Sequence, residues 1–221
     1  QEGFLSGGLC IPVGRSKSAD LTELARLADT YGRGEIRLTT TQNAIITWVP
    51  ENNLPVLLKE PLLAKFSPNA LPVYRGLISC TGVDYCKLAV IETKGISVDL
   101  AQKIETLIPP GVSISMNWSG CPAGCGNHQA SDIGFMGTKV KVDGVAVDAV
   151  HIYIGGRSGA KAKPGVKIME NVPCSLLPQV IPTLVSNLEL LKRIEPEEDQ
   201  NMRVVMVPMS DSEIEEEVSA E

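Results

Sequence analysis

The pattern of apolar and polar positions predicts an amphipathic helix early in the chain. Its apolar face is formed by Leu21, Leu24, Ala25, Leu27 and Ala28. Asp20 and Glu23 form a capping-box pattern at the start of this helix, and Gly32 follows the last apolar position, as a helix-ending glycine does. We therefore expect a helix that packs by one face.

Two strand patterns and a second helix follow. Residues 35–40 alternate, with Ile36 and Leu38 on the apolar side, and residues 44–49 form a short apolar run. Residues 53–63 predict a short helix that prolines interrupt. The order helix, strand, strand, helix is typical of a small antiparallel α+β layer.

A second, larger unit is expected after residues 67–72, a stretch with prolines and an asparagine that we interpret as a linker. Residues 73–79 and 112–118 predict strands, whereas residues 85–93 and 98–108 have helical patterns. Each of these two strands runs into a segment that contains a pair of cysteines.

A hairpin and a long helix complete this unit. Residues 133–142 and 145–154 have strand patterns joined by an Asp-Gly dipeptide at 143–144, which is a strong hairpin-turn sequence. Residues 155–167 predict a loop rich in glycine and lysine, and residues 176–194 predict an apolar helix. The chain is therefore predicted to be α+β.

Composition and charge narrow the class of protein. The chain has 221 residues, 43% of them hydrophobic, and no apolar run reaches the ~18 residues that span a bilayer. Its N-terminus shows no signal-peptide pattern and lacks an initiator Met, so we expect a fragment or a processed product. The net charge of -6 argues against a nucleic-acid surface. Acidic residues concentrate at the C-terminus and predict a disordered tail over 206–221.

Four cysteines form two pairs in glycine-containing turns. Five residues separate Cys80 from Cys86, and three separate Cys121 from Cys125. Because each pair follows a predicted strand, the loops at the strand ends are expected to present several thiolates to one bound group.

Several kinds of cysteine site could explain this pattern. Buried core cysteines are the usual fate of isolated thiols and suit Cys10 and Cys174. Six cysteines are few for a disulfide scaffold of this length, so a reducing compartment is favoured over disulfides. Structural zinc prefers gaps of two to four residues, which the first pair does not match. An iron–sulfur cluster accepts wider, unequal spacings and favours backbone N–H donors. The cluster is favoured, and zinc and inert cysteines stay open.

The residues around the cysteines resemble the ferredoxin-dependent nitrite reductases and their assimilatory sulfite reductase relatives. The resemblance rests on CTGVDYCKLAVIETKG at 80–95 and MNWSGCPAGCGNHQASDIGFMG at 116–137, and it continues through 152–157 and 172–174. IPVGR at 11–15 and RLTTTQN at 37–43 resemble the ferredoxin-like half-repeat of that family. The resemblance covers roughly residues 8–195.

The resemblance implies a fold and two cofactors. It implies a ferredoxin-like half-repeat over 1–72 and, over 73–205, an α/β sirohaem and iron–sulfur domain with a mixed sheet. It also implies that a [4Fe–4S] cluster is held by Cys80, Cys86, Cys121 and Cys125. Cys125 is then the bridging ligand as well, because its thiolate is shared with the iron of the sirohaem.

The implied activity is six-electron reduction of nitrite to ammonia with ferredoxin as the electron donor. Sulfite reduction to sulfide and a non-catalytic electron-transfer subunit are the alternatives. The family has two half-repeats and this chain shows one, so we expect the C-terminal half of a reductase. The Arg and Lys residues that bind the anion are expected in the missing N-terminal half, and no catalytic residue is assigned here. The expected location is the cytoplasm, or the plastid stroma in a photosynthetic eukaryote.

Single residues add smaller expectations. Arg157 follows two glycines and is either a partner of a sirohaem carboxylate or a solvated loop arginine. His128 is expected to make a local hydrogen bond rather than to donate protons. Ala123 stands where many relatives have Asn, so a polar contact near the sirohaem is in doubt. Weaker expectations concern Lys161, Lys163 and Lys167 as a docking loop, and Arg37, Gln42 and Asn43 as turn and strand residues.

Overall fold

A computed structural model of the chain describes residues 3–108 and 113–194. It divides the chain into two compact units, with the division between Ala70 and Leu71. The predicted domain limits at 72 and 205 stay predictions. The predicted acidic tail over 206–221 lies outside the described residues.

Over its described residues, the first unit contains an antiparallel three-stranded sheet and three α-helices. The strands are β1 (Phe4–Leu9), β2 (Ile36–Leu38) and β3 (Ala44–Pro50), in the order β1-β3-β2. The helices are α1 (Ser18–Tyr31), α2 (Leu54–Leu57) and α3 (Pro61–Lys65). The predicted antiparallel α+β layer is thus confirmed. The sequence pattern does not predict β1, because its two glycines and its serine interrupt the alternation of apolar residues.

In the core of the first unit, the buried face of α1 is narrower than the helical pattern predicts. It includes Leu24, Leu27 and Ala28 of α1 and Ala44, Ile46 and Val49 of β3. The prediction that Leu21 and Ala25 share this face is wrong, since both are exposed. Leu38 lies at the end of the short edge strand β2 and is 79% exposed. Asp20 caps α1 from inside its first turn, where its carboxylate accepts the N–H of Lys17 at 2.8 Å.

The second unit is built on a five-stranded mixed sheet. The strands are β4 (Leu77–Ser79), β5 (Met116–Ser119), β6 (Ile133–Val142), β7 (Val145–Ile154) and β8 (Val166–Pro173), in chain order across the sheet. The strands β4, β5 and β6 are parallel, and β7 and β8 add antiparallel. The helices are α4 (Pro72–Arg75), α5 (Lys94–Ile104) and α6 (Leu177–Ile194). The predicted mixed sheet is confirmed.

Several predicted elements of this unit need correction. The strand predicted over 73–79 begins at Leu77, because the residues before it form the helical turn α4 with a proline at its first position. Residues 85–93 form turns instead of a helix, since some of their N–H groups bond across the loop, as that of Val90 does with Gly120. The loop predicted through 167 contains the start of β8.

The β6–β7 hairpin was predicted residue for residue and pairs along its full length. Trp118 and Phe135 are partners on neighbouring parallel strands, and their rings stack at 4.0 Å in the buried core. Leu177 of α6 is fully buried in the same unit. Among the described residues, no helix has both the length and the apolar character needed to cross a membrane.

Candidate functional site

The two cysteine loops leave the same edge of the mixed sheet. Strands β4 and β5 are adjacent and parallel, with Ser79 paired to Trp118. The chain therefore leaves both strands at their carboxyl ends side by side. The N–H of Cys80 donates to the carbonyl of Trp118 at 2.9 Å, so the first cysteine lies directly beside the end of the second strand.

The first loop is folded back on itself by backbone hydrogen bonds. The N–H of Cys86 donates to the carbonyl of Gly82 at 3.0 Å, and the N–H of Val83 donates to that of Ile91 at 3.3 Å. A bond from the N–H of Val90 to the carbonyl of Gly120, at 2.9 Å, ties this loop to the residue before Cys121. The two loops thus form one hydrogen-bonded structure.

The second loop is a tight turn around its two cysteines. The N–H of Gly124 donates to the carbonyl of Cys121 at 3.3 Å, and the N–H of Gly126 donates to the hydroxyl of Ser119 at 3.1 Å. Asn127 adopts a left-handed conformation with φ of 52°, which asparagine tolerates better than most residues. This turn leaves Cys125 exposed and Cys121 half-buried.

The six cysteines have different surroundings. All six are free thiols; Cys80 and Cys86 are half-buried like Cys121, and Cys10 is buried as predicted. Burial, reinforced by the nearby carboxylate of Asp148, raises the pKa of the Cys174 thiol to about 12. A thiol held protonated at neutral pH is a poor metal ligand, because the ligand is the thiolate. Cys174 is half-buried rather than fully buried as a core cysteine would be, and its place outside the cysteine site stays a prediction.

The donor set fits an iron–sulfur cluster. Four free thiols stand on two tied loops, and the backbone N–H of Gly120 donates to the sulfur of Cys80 at 3.1 Å. Hydrogen bonds to the sulfurs are one of the means by which proteins set the reduction potential of such clusters. Within the described ranges, no three His, Cys, Asp or Glu side chains converge on the position of a single metal ion.

The residues after the first pair anchor the loop, a role that the sequence reasoning missed. The Glu92 carboxylate accepts the N–H groups of Gly95 at 2.8 Å and Ile96 at 2.9 Å, at the start of α5. The Lys94 ammonium donates to the carbonyl of Ser79 at 3.3 Å, at the end of β4. The sequence signal for this role is a glutamate just before a helix, where its carboxylate can accept the free N–H groups of the first turn.

His128 makes the local hydrogen bond expected from the sequence. The residue is 5% exposed, its Nδ1 lies 3.0 Å from the hydroxyl of Ser119, and its ring lies 4.8 Å from that of Tyr153. Burial lowers the pKa of His128. Because Ser119 also accepts the N–H of Gly126, His128 supports the turn that contains Cys125.

Other predicted residues lie in turns. Arg157 is exposed, and its N–H donates to the carbonyl of Lys163 at 2.9 Å across a short loop. A contact between Arg157 and a sirohaem carboxylate stays a prediction, as does docking at the lysine loop. In the first unit, the Asn43 side chain accepts the N–H of Ile11 at 2.8 Å, and Gln42 has φ of 63°. These two residues therefore shape a turn, as expected.

Comparisons with known proteins agree with this architecture. Residues 1–64 match a family model described as a nitrite/sulfite reductase ferredoxin-like half domain, and residues 73–201 match a nitrite and sulphite reductase 4Fe-4S domain. The chain is 49% identical over 185 residues to a ferredoxin–nitrite reductase of Synechococcus elongatus. It is 44% identical over 202 residues to a chloroplastic ferredoxin–nitrite reductase of Oryza sativa.

The chain spans about a third of the length of these curated relatives. The two alignments cover 84% and 90% of this chain but 36% and 34% of the relatives. The solved structure of the Mycobacterium tuberculosis NirA protein matches with a TM-score of 0.78 and 27% identity, over 90% of this chain and 40% of that one. Dissimilatory sulfite reductase I shares the fold, with a TM-score of 0.62 and 12% identity, over 94% of this chain and 72% of that one.

Proposed function

This chain belongs to the nitrite and sulfite reductase family, and from that premise we propose that it is the cluster-binding part of a ferredoxin–nitrite reductase. The matched 4Fe-4S domain supports the cluster. Nitrite is preferred over sulfite because the relatives at 49% and 44% identity are both named ferredoxin–nitrite reductase. The non-catalytic electron-transfer subunit has no comparable support.

The observation on which this proposal rests is the pairing of β4 with β5, which brings both cysteine loops to one edge of the sheet. Cys80, Cys86, Cys121 and Cys125 would hold the [4Fe–4S] cluster. Cys125 is the exposed member of the four, so its sulfur is accessible to a second group. This supports Cys125 as the thiolate shared with the sirohaem.

The chemistry divides between the cofactors and the chain. When bound, the cluster and the sirohaem supply single-electron transfer and an iron that binds a small oxyanion. The chain itself holds the cysteine sulfurs in place and donates the Gly120 N–H to one of them. Arg157 is the candidate partner of a sirohaem carboxylate in this part of the protein.

The substrate and the partners of the whole enzyme are part of the same proposal. Nitrite would be reduced to ammonia with electrons from ferredoxin. Because the chain spans about a third of its relatives, we place the anion-binding Arg and Lys residues in sequence outside this chain. A cyanobacterial relative and a chloroplastic relative support the cytoplasm or the plastid stroma as the location.

Anaerobic reconstitution with iron, sulfide and sirohaem tests the cofactor assignment. We expect cluster iron and acid-labile sulfide in equal amounts, one further iron from each bound sirohaem, and sirohaem absorption bands above a broad cluster shoulder. Cys125→Ser should remove the sirohaem bands, since the shared thiolate is lost, and Cys174→Ser is the control that should retain the complete spectrum. A colourless protein that binds only zinc, or loss of the cluster in Cys174→Ser, would contradict the assignment.

The experiment that identifies the substrate requires the full-length enzyme of which this chain is proposed to be a part. With reduced ferredoxin as the donor, we expect turnover of nitrite to exceed turnover of sulfite. A preference for sulfite would favour the sulfite reductase alternative while leaving the cluster assignment intact.

A further inference from the structure

Thr93 is a fully buried polar residue at the point where the two cysteine loops meet. Its exposed fraction is 0%, and it precedes α5 directly. A buried hydroxyl requires a hydrogen-bond partner, and the partner that Thr93 uses belongs to a proposed cluster ligand.

The hydroxyl of Thr93 contacts the first cysteine. Its Oγ1 donates to the main-chain carbonyl of Cys80 at 2.7 Å and lies 3.9 Å from the sulfur of the same residue. Gly82, two residues along the loop, lies so close that a Cβ there would be 2.7 Å from this hydroxyl. Its φ of +63° is also a conformation that glycine adopts readily. The loop is therefore wrapped closely around the Thr93 side chain.

The methyl group of Thr93 faces the second loop. A Cβ on Gly120 would lie 3.3 Å from this methyl carbon. Gly120 immediately precedes Cys121, and its N–H donates to the Cys80 sulfur at 3.1 Å. One side chain thus contacts the backbone of both loops that present the cysteines.

Thr93 is itself held in place by α5. Its carbonyl accepts the N–H of Ser97 at 3.0 Å. The neighbouring Glu92 satisfies the next free N–H groups of the helix. Through these hydrogen bonds, Thr93 connects the start of α5 to the main chain of Cys80.

We propose that Thr93 is a positioning residue for the iron–sulfur cluster, with its hydroxyl holding Cys80 in the orientation that binds iron. This inference rests on the proposed cluster site and assigns a role to a residue that contributes no ligand atom. Its loss should act on the cluster through the Cys80 carbonyl, which would lose its shorter hydrogen bond and keep only the one from the Ser79 hydroxyl at 3.2 Å.

Paired substitutions separate the hydroxyl from the rest of the side chain. Thr93→Val keeps the shape and removes the hydroxyl, whereas Thr93→Ser keeps the hydroxyl. In anaerobic protein treated with an iron chelator, we expect the cluster of Thr93→Val to be lost about tenfold faster than that of the unmodified protein. Thr93→Ser should restore the original rate. The midpoint potential and the electron paramagnetic resonance spectrum of the reduced cluster should shift in the valine variant but not in the serine variant.

A second hydroxyl-free variant guards against a folding defect. Thr93→Ala lacks the hydroxyl without placing a valine methyl against Gly82, and it should show the same faster loss and the same spectral shift. The matched control is Thr47→Val in the first unit, where a threonine 2% exposed also donates to a carbonyl, that of Glu35. This control should leave the potential and the loss rate unchanged.

Two results would overturn the inference. The first is a valine or alanine variant whose potential, spectrum and loss rate equal those of the unmodified protein. The second is a variant with lower unfolding stability but an unchanged loss rate, which would make Thr93 an ordinary core residue. If the unmodified protein binds no iron and sulfide, the cluster site fails first and the role of Thr93 fails with it.

Discussion

The buried imidazole of His128, beside the second cysteine loop, makes the folding stability depend on pH. Its pKa is lowered by burial, so the folded protein binds this proton less readily than the unfolded chain does. Below the ordinary histidine value near 6.5, the unfolded chain binds more protons, and stability falls as the pH drops towards the lower folded pKa. Above 6.5 this contribution is fully present.

His128→Gln tests this link. We expect the loss of unfolding free energy between pH 7.5 and pH 5.5 to be smaller in this variant, because glutamine does not titrate in that range. Urea unfolding of the metal-free protein at the two pH values measures the difference. An unchanged difference would show that other groups determine the pH dependence.

At the level of single residues, the sequence pattern indicates the proposed ligands but not the residues that support them. Cys80 and Cys125 are recognisable by residue type and spacing. Thr93 and Gly120 are common residue types, and their importance comes from contacts with residues distant in the chain. Such contacts leave no periodic pattern in the sequence.

At the level of elements, α5 is the support of the first cysteine loop, and its start depends on Glu92. We expect Glu92→Ala to lower the unfolding free energy by about 1 kcal/mol, since a helix-capping side chain contributes this much. The N–H groups of Gly95 and Ile96 would lose their acceptor. Urea unfolding of the metal-free protein provides the measurement.

Glu92→Gln is the matched control for the capping role. Its amide oxygen can accept one of the two N–H groups that the carboxylate accepts, so its loss of stability should be smaller than that of the alanine variant. Equal losses in the two variants would mean that one retained acceptor oxygen does not stabilise the start of α5 without the full carboxylate and its charge.

Elements with local patterns were predicted well. The β6–β7 hairpin was predicted correctly because its turn and its alternation are both local. The strand β1 and the turns over 85–93 were missed, because their conformation is stabilised by pairing with distant segments.

At the level of the whole molecule, cluster binding should stabilise the second unit, since both cysteine loops arise from its sheet. A ligand bound by the folded state alone raises the unfolding free energy, by about 3 kcal/mol at a hundredfold excess over its dissociation constant. We therefore expect chelation of the iron to lower the stability of this unit by at least this amount.

Tryptophan fluorescence offers a direct measurement. Trp48 lies in the first unit and Trp118 in the second, so Trp48→Phe leaves Trp118 as the reporter during anaerobic urea unfolding. Cys80→Ser, which lacks a proposed ligand, should be insensitive to the chelator. The same unfolding midpoint before and after chelation would argue against a cluster in this unit.

By itself, the sequence determined the family, the α+β class and the four candidate ligands, because residue types, spacing and local periodicity are properties of the chain. The tertiary structure alone decided that the two cysteine pairs share one edge of the sheet, through the parallel pairing of β4 with β5. It also decided which buried groups support them, Thr93 among these. Both outcomes depend on contacts between distant segments, which form only when the core packs.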